Sequence, residues 1–518
     1  MALIDLRNDV LSVITLSGVV SSVFAFLVLH SVAAALYNIL LHPLRHVPGP
    51  RLAASSRLVW AKHIRDGSMV KYVTALHEKY GEIVRVAPNE VSFISGETAW
   101  SEIYGMRTSK SKKGAYLKDP MFFPLPPNGI NSIIGANEAD HARQRRLVSH
   151  AFSERALREQ ESIIQKYVNL LIQRLHEQID GEGKGRVDMV RWYNFTTFDV
   201  IADLTFGESF HCLRDSVYHP WVSMAFQVMK SFGIISIKRY FPLWAWIMSL
   251  FQTPAALNFR REFFAFVDQK VAQRLSMEMS RPDFMSFITR HQDEKGMSLK
   301  EMESSLNSFM VAGSETSATT LSGVTWLLTQ NPDKLKKLVE EVRGRFKSND
   351  DITLQEVMQM PYLIAVMNEA LRIYPPVPTG FPRVVPKGGD HISGCWIPEK
   401  TSVYVSQYPT YHSSRNFIQP DSFIPERWVG KNEFANDNFA VFNPFSHGPR
   451  NCIGKNLAAA ETRLVIAKMV WNFDIELHPD TKGDWMDQNV FILWEKPPLF
   501  IQLKRVVRDS LIGPWSGS

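Results

Sequence analysis

The chain has 518 residues and carries 58 Lys+Arg against 52 Asp+Glu, a net charge of +6. Apolar residues make up 45% and charged residues 21%, the balance of a globular protein rather than a disordered one. The small basic excess, without a dense Lys/Arg run or finger spacing, excludes nucleic acid as the partner. Cys212, Cys395 and Cys452 are the three cysteines, and none forms a CxxC pair. A disulfide framework and a structural zinc site are therefore excluded. Cys212 and Cys395 read as small buried hydrophobes.

Val10 to Leu41 contains no Asp, Glu, Lys or Arg. About 20 apolar residues cross a bilayer, and Leu11 to Leu29 alone is long enough. The alternative is a signal peptide cleaved near Ala33-Ala34-Ala35, against which the scarcity of cysteine weighs. Arg45, Arg51 and Arg57 follow the run, whereas Arg7 before it is flanked by Asp5 and Asp9. That asymmetry puts the globular part on the cytoplasmic side. The expected division is an anchor at 1–41, a Pro/Gly linker at 42–52 (His46-Val47-Pro48-Gly49-Pro50), and one large domain at 53–518.

Ile83-Val84-Arg85-Val86 and Glu90-Val91-Ser92-Phe93-Ile94 predict a hairpin around Ala87-Pro88-Asn89. Met106 to Gly135 reads as a long loop over a functional site. From Asn137 to about Arg345 the pattern is mostly helical. Ser298-x-x-Glu301 is a capping box that opens a helix of about thirty residues, ending before Asn331-Pro332. Asn331 is expected to cap the next helix, with Pro332 in its first turn. Short strands return between Arg383 and Val405 and after Val490.

Four separated motifs point to one site. Phe445-Ser446-His447-Gly448-Pro449-Arg450-Asn451-Cys452-Ile453-Gly454 fits F-x-x-G-x-R-x-C-x-G. Two glycines allow unusual backbone angles and close approach of the loop to a flat ligand. Backbone N–H groups tune a thiolate, and Arg450 offers a permanent cation. Glu369-Ala370-Leu371-Arg372 places a carboxylate and a guanidinium on one helix face. Ala312-Gly313-Ser314-Glu315-Thr316-Ser317 lies midway along the long helix. There the small pair leaves space, and Thr316 can bond back to a carbonyl. Glu315 and Thr316 set an acid beside an alcohol, a pair able to relay protons. His141-Ala142-Arg143-Gln144-Arg145-Arg146 is the fourth.

On these residues the sequence resembles the cytochromes P450, from Pro48 to about Lys504. The resemblance implies a mainly α fold with small β-sheets, in which haem b lies between the long helix and the cysteine loop. It implies that Cys452 is the axial iron ligand and that Phe445, Gly454, Arg450, Arg145, His141 and Arg383 contact the haem. His141 stands where the family has Trp. Glu315 and Thr316 would activate oxygen, with Ser317 in place of a frequent Thr. Glu369, Arg372 and Arg427 would brace the cysteine loop, Trp428 replacing a commoner Phe. No flavin or dinucleotide segment is present. The resemblance therefore implies electrons from NADPH through a separate membrane-bound cytochrome P450 reductase, with cytochrome b5 as a further donor. Arg143, Arg146, Arg155 and Lys455 are candidates for the docking face. It also implies a single-pass endoplasmic reticulum protein.

Phe232-Gly233-Ile234-Ile235, Phe241 to Ile247, Met121-Phe122-Phe123 and Val377 to Phe381 suggest a bulky, lipophilic substrate, reached by an access channel or a membrane-dipping face. Asp140-His141-Ala142-Arg143 and Thr379-Gly380-Phe381-Pro382-Arg383 resemble filamentous-fungal P450s of secondary metabolism. The expected reaction is hydroxylation or epoxidation of a terpenoid or polyketide intermediate. A haem-thiolate isomerase, dehydratase or peroxide-using enzyme is the first alternative, disfavoured by Glu315-Thr316. A non-catalytic haem sensor or carrier is the second, and an anchored scaffold without haem the third. The Asn194-Phe195-Thr196 sequon is expected to stay unmodified.

Overall fold

The computed structural model describes residues 16–107, 114–123, 125–126, 128–251, 254–277, 281–290, 296–430 and 432–507. The start of the apolar run, with Asp5, Arg7 and Asp9, lies outside the described residues, as do residues 108–113 of the long loop.

The anchor helix is Leu16–Leu40. Its segment Gly18–Leu40 has a mean hydropathy of 2.2, and no residue of its most apolar window is buried in the protein. A helix apolar on every side belongs in a core or in lipid. Its far end is fixed to the globule: Asn38 donates to the Ser55 carbonyl at 2.9 Å and accepts from Arg85 at 2.9 Å. Residues 42–52 then lie on the sheet. Leu44 and Val47 are buried, the Arg85 N–H donates to the Pro48 carbonyl at 2.8 Å, and a Cβ on Gly49 would come within 2.4 Å of the Arg85 carbonyl.

The expected hairpin forms from Ile83–Ala87 and Glu90–Phe93. Glu90–Phe93 pairs in parallel with Ser402–Val405, which pairs antiparallel with Arg383–Val384. The last strand is Leu117–Lys118, from the long loop. This pairing brings the loop to the site, with Lys118 directly opposite Arg383.

The central helix is Leu299–Gln330, 32 residues with the predicted capping box at Ser298 and Glu301. It packs along Met189–Phe206, a helix buried on nearly all sides. Pro332 opens the following helix Pro332–Arg345. Asn331 takes the expected N-cap position of that helix, but its side chain makes no cap bond and donates to the Leu327 carbonyl at 2.7 Å. It closes the helix behind it, because its side chain reaches back one turn to an otherwise free carbonyl. The helix Lys455–Asn472 follows the cysteine loop and packs against the central helix and Glu154–Asp180.

One reading needs correction. Cys212 is buried, but Cys395 is half-exposed, with Sγ 3.7 Å from His46 Nε2. It lies in a two-stranded sheet, packed against the edge of a core cluster rather than inside it. The apolar stretches near 232–247 fall on two helices, Pro220–Tyr240 and Pro242–Ser249. The second has no buried residue and exposes Leu243, Trp244, Trp246 and Ile247.

Candidate active site

Gly448 is the hinge of the cysteine loop. It adopts φ +75°, and a Cβ there would lie 1.9 Å from the Tyr104 carbonyl oxygen. Gly454 is different: its φ is −84°, so an ordinary residue's backbone would fit. The Cys452 N–H donates to the Phe445 carbonyl at 2.8 Å, which closes the loop; this, rather than its half-buried ring, is what the structure shows of Phe445. Cys452 presents accessible surface although protein surrounds it almost completely. That surface opens into the interior rather than to bulk solvent. Burial pushes the thiol up, while the Gly454 N–H, Arg145 and Lys455 pull it down.

Five basic side chains converge beside this loop. Burial pushes His141 down to about 3, helped by the charges of Arg450, Arg145, Lys118 and Arg383. Lys118 is pushed well below the usual lysine range by burial, then by Arg383 and Arg450. Glu138 is the carboxylate in this group, 3.0 Å from Arg450. Arg145 clamps the loop through the Asn451 carbonyl (2.6 Å) and amide oxygen (2.7 Å). Buried Arg383 Nε and Arg450 Nη1 have no hydrogen-bond partner among the described residues. Cations directly opposed across two strands, and buried N–H groups without acceptors, are costly unless an anion meets them. A flat metal macrocycle with carboxylate arms, bound through a thiolate, fits this donor set. Lys118 was missed from the sequence; a lysine in an irregular loop signals nothing until strand pairing sets it against Arg383.

On the central helix Ala312 is exposed and Thr316 half-exposed, the latter between buried Glu315 and Ser317. Thr316 Oγ1 donates to the Ala312 carbonyl at 2.6 Å, as its type and spacing predicted. Glu315 is buried and turned aside: its carboxylate accepts from Lys496 Nζ at 2.9 Å, and the same ammonium reaches Thr319 Oγ1 at 2.8 Å. Ser317 donates to Glu461 at 3.4 Å, joining the central helix to the helix behind the cysteine loop. Burial pushes Glu461 up to about 8. Neither Lys496 nor Glu461 belongs to a motif that sequence reading singled out.

Glu369, Arg372 and Arg427 form one fully buried cluster. Arg372 holds Glu369 through two nitrogens at 2.8 and 3.0 Å, and Arg427 reaches it at 3.0 Å. Arg372 also donates to the carbonyls of Tyr411, Pro420 and Ser422, and Arg427 pairs with Asp437. The cluster thus pins the chain between Tyr411 and Asp437, which leads into the cysteine loop. Trp428 Nε1 adds a fourth donor to Glu369 at 2.8 Å, which a Phe could not supply.

An apolar cavity, partly open to solvent, lies beside these groups rather than at them. Met121, Phe122, Phe232, Thr379 and Ile492 line it, and Cys452 and Thr316 do not. Asn194 is buried, donating to Tyr218 Oη at 3.3 Å, which leaves the sequon inaccessible in the fold.

Residues 47–503 match the family model for cytochrome P450, and the chain belongs to that family. It is a cytochrome P450 monooxygenase by class, mostly helical with small sheets, as the motifs implied. It is 50% identical over 487 residues to the cytochrome P450 monooxygenase lcsI of Purpureocillium lilacinum, covering 94% of both chains. It is 47% identical to the monooxygenase traB of Penicillium crustosum, over 91% of this chain and 94% of that one. Averantin hydroxylase of Dothistroma septosporum is 44% identical, over 92% and 90%.

Proposed function

We propose that this chain is a membrane-anchored monooxygenase, driven by an NADPH–cytochrome P450 reductase, that hydroxylates or epoxidises a lipophilic secondary-metabolite intermediate of terpenoid or polyketide type. For hydroxylation the balance is R–H + O2 + NADPH + H+ → R–OH + H2O + NADP+. Iron protoporphyrin held by Cys452 supplies the redox chemistry, the thiolate donating electron density that favours O–O cleavage. Arg145, Arg383, Arg450 and Lys118, with His141 beside them, hold its carboxylates. Glu315 carries protons inward and Thr316 hands them on. Glu369, Arg372 and Arg427 keep the chain leading to the cysteine loop rigid.

The apolar cavity supports a lipophilic substrate, and the name of averantin hydroxylase supports oxygenation of a secondary metabolite. Residues 1–41 act as a single-pass anchor in the endoplasmic reticulum, leaving the catalytic domain cytoplasmic; Arg45 and Arg51 after the span support this orientation. The exposed apolar face of Pro242–Ser249 dips into the same bilayer. Exposed Arg146, Arg155 and Lys455 offer the docking face for the reductase, and for cytochrome b5 where it takes part. Arg143, engaged by Asp140 and Glu301, and Arg155, paired with Glu159, contribute less.

The observation that carries this reading is the meeting of Cys452 with the cation cluster. Deleting the gene should make a compound accumulate that has one oxygen fewer than the product. That compound should drive NADPH consumption and take label from 18O2 when enzyme and reductase are combined. Product without the label would sink the monooxygenase reading.

A further inference from the structure

Lys496 lies in the C-terminal hairpin, far from every motif, yet its ammonium is buried. Its side chain is 5% exposed and that of Glu315 is 4%, so the ion pair at 2.9 Å is largely withdrawn from water. The Thr319 hydroxyl, one helical turn beyond Glu315, takes a second bond from the same nitrogen at 2.8 Å. Glu315 Oε1 is buried without a hydrogen-bond partner among the described residues. A buried ion pair with unmet capacity is poor value for stability alone, since apolar residues of similar size usually do as well.

The hairpin itself is held tightly at several points. Val490 bridges to Trp494, and the Val490 N–H donates to the Gly67 carbonyl at 2.7 Å. The Trp494 indole donates to the Pro375 carbonyl at 2.7 Å and stacks on Tyr374 at 4.7 Å. Phe491 and Ile492 at its tip line the cavity. Ile492 adopts φ +95°, a conformation that a β-branched residue rarely takes. Glu495 pairs outward with Lys230 on Pro220–Tyr240, another wall of the cavity, while Lys496 points inward to Glu315. The ionisable groups around Glu315 are this lysine and the phenols of Tyr218 and Tyr374, both pushed up mainly by burial.

We propose that Lys496 is the positioning residue for Glu315, fixing its carboxylate against the C-terminal hairpin, one residue before Thr316 on the central helix, as the point from which protons pass toward the oxygen-reducing site. This rests on the reading of Glu315 as the proton-carrying acid. Oxygen reduced to peroxide takes two electrons and two protons (NADPH + H+ + O2 → NADP+ + H2O2); reduction to two waters takes twice as many of each. The peroxide share of the NADPH consumed therefore reports on proton supply without any organic substrate.

The test uses the full-length haem-loaded enzyme with a cytochrome P450 reductase, NADPH and oxygen in H2O and D2O. Lys496→Met should raise the peroxide share several-fold and enlarge the solvent isotope effect, as Glu315→Gln should. The double variant should be no worse than the worse single. Lys496→Arg should stay close to wild type. Hydrogen exchange adds a readout independent of turnover: amides 489–496 should exchange several-fold faster in Lys496→Met and not in Lys496→Arg. If Lys496→Met does not load haem, Lys496→Gln, which keeps a donor without the charge, carries the same expectation. Wild-type peroxide share and isotope effect in the Lys496 variant, with Glu315→Gln impaired, would overturn the proposal and leave the acid's role intact. Wild-type behaviour of Glu315→Gln would overturn the acid's role and the proposal with it.

Discussion

Glu369 is a fully buried carboxylate with five protein donors: two from Arg372, one each from Arg427 and Trp428, and the Ile424 N–H at 2.9 Å. Each charge-assisted bond to such a group contributes about 1.5–3 kcal/mol. Trp428→Phe keeps the ring against Phe439 and Phe442 and removes only the N–H. Denaturant unfolding of the holoenzyme should show a loss in that range, with haem binding retained. An unchanged midpoint would mean that the indole bond adds nothing. The pair Glu369 and Arg372 was legible in sequence as a helical i,i+3 spacing. The contribution of Trp428 was not, because its donor matters only once a distant segment is folded onto the same carboxylate. Lys118 and Lys496 were hidden for the same reason. Their roles arise from strand register and from the path of a hairpin, neither of which leaves a local pattern.

At the scale of elements, the central helix announced itself through its capping box and its Thr316 back-bond. Its junction with Lys455–Asn472 did not. Glu461 on that helix is buried against Ser317, and burial pushes its carboxyl up from 4.5 to about 8. A carboxyl raised in the folded state binds its proton more tightly there than in the unfolded chain. Its stabilising contribution is complete below pH 4.5 and is lost as pH rises toward 8. Glu461→Gln, neutral throughout, should unfold with a flatter pH dependence than wild type across that window. Thermal or denaturant midpoints at a series of pH values check this; parallel curves would contradict the burial of a neutral acid. The break between Pro220–Tyr240 and Pro242–Ser249 was not legible, because periodicity is weak when every face is apolar or exposed. Gly454 was assigned backbone freedom that its φ of −84° does not use.

Among the described residues, apolar side chains divide between core clusters, a cavity and exposed patches that include the N-terminal helix and Pro242–Ser249. The fold class could be read from the cysteine loop because that loop's residue types are set by a single ligand. The exposed apolar surface was half legible: the N-terminal helix is a continuous run, whereas the second patch emerges only when Leu243, Trp246 and Phe251 are seen unburied. Deleting residues 1–36 keeps Asn38 and its contacts with the globule. That protein should still bind phospholipid vesicles, more weakly than the full chain, and Trp246→Ser with Phe251→Ser should abolish the residual binding in a sedimentation assay. Equal binding with and without the two serines would remove Pro242–Ser249 from the membrane face.

Everything above turns on Cys452 as the ligand of the haem iron. The most direct test is the absorption spectrum of the reduced, CO-treated protein. Wild type should show the thiolate-type Soret band and Cys452→Ser should lose it, while Thr316→Ala keeps it. A thiolate-type band that persists in Cys452→Ser would contradict the assignment.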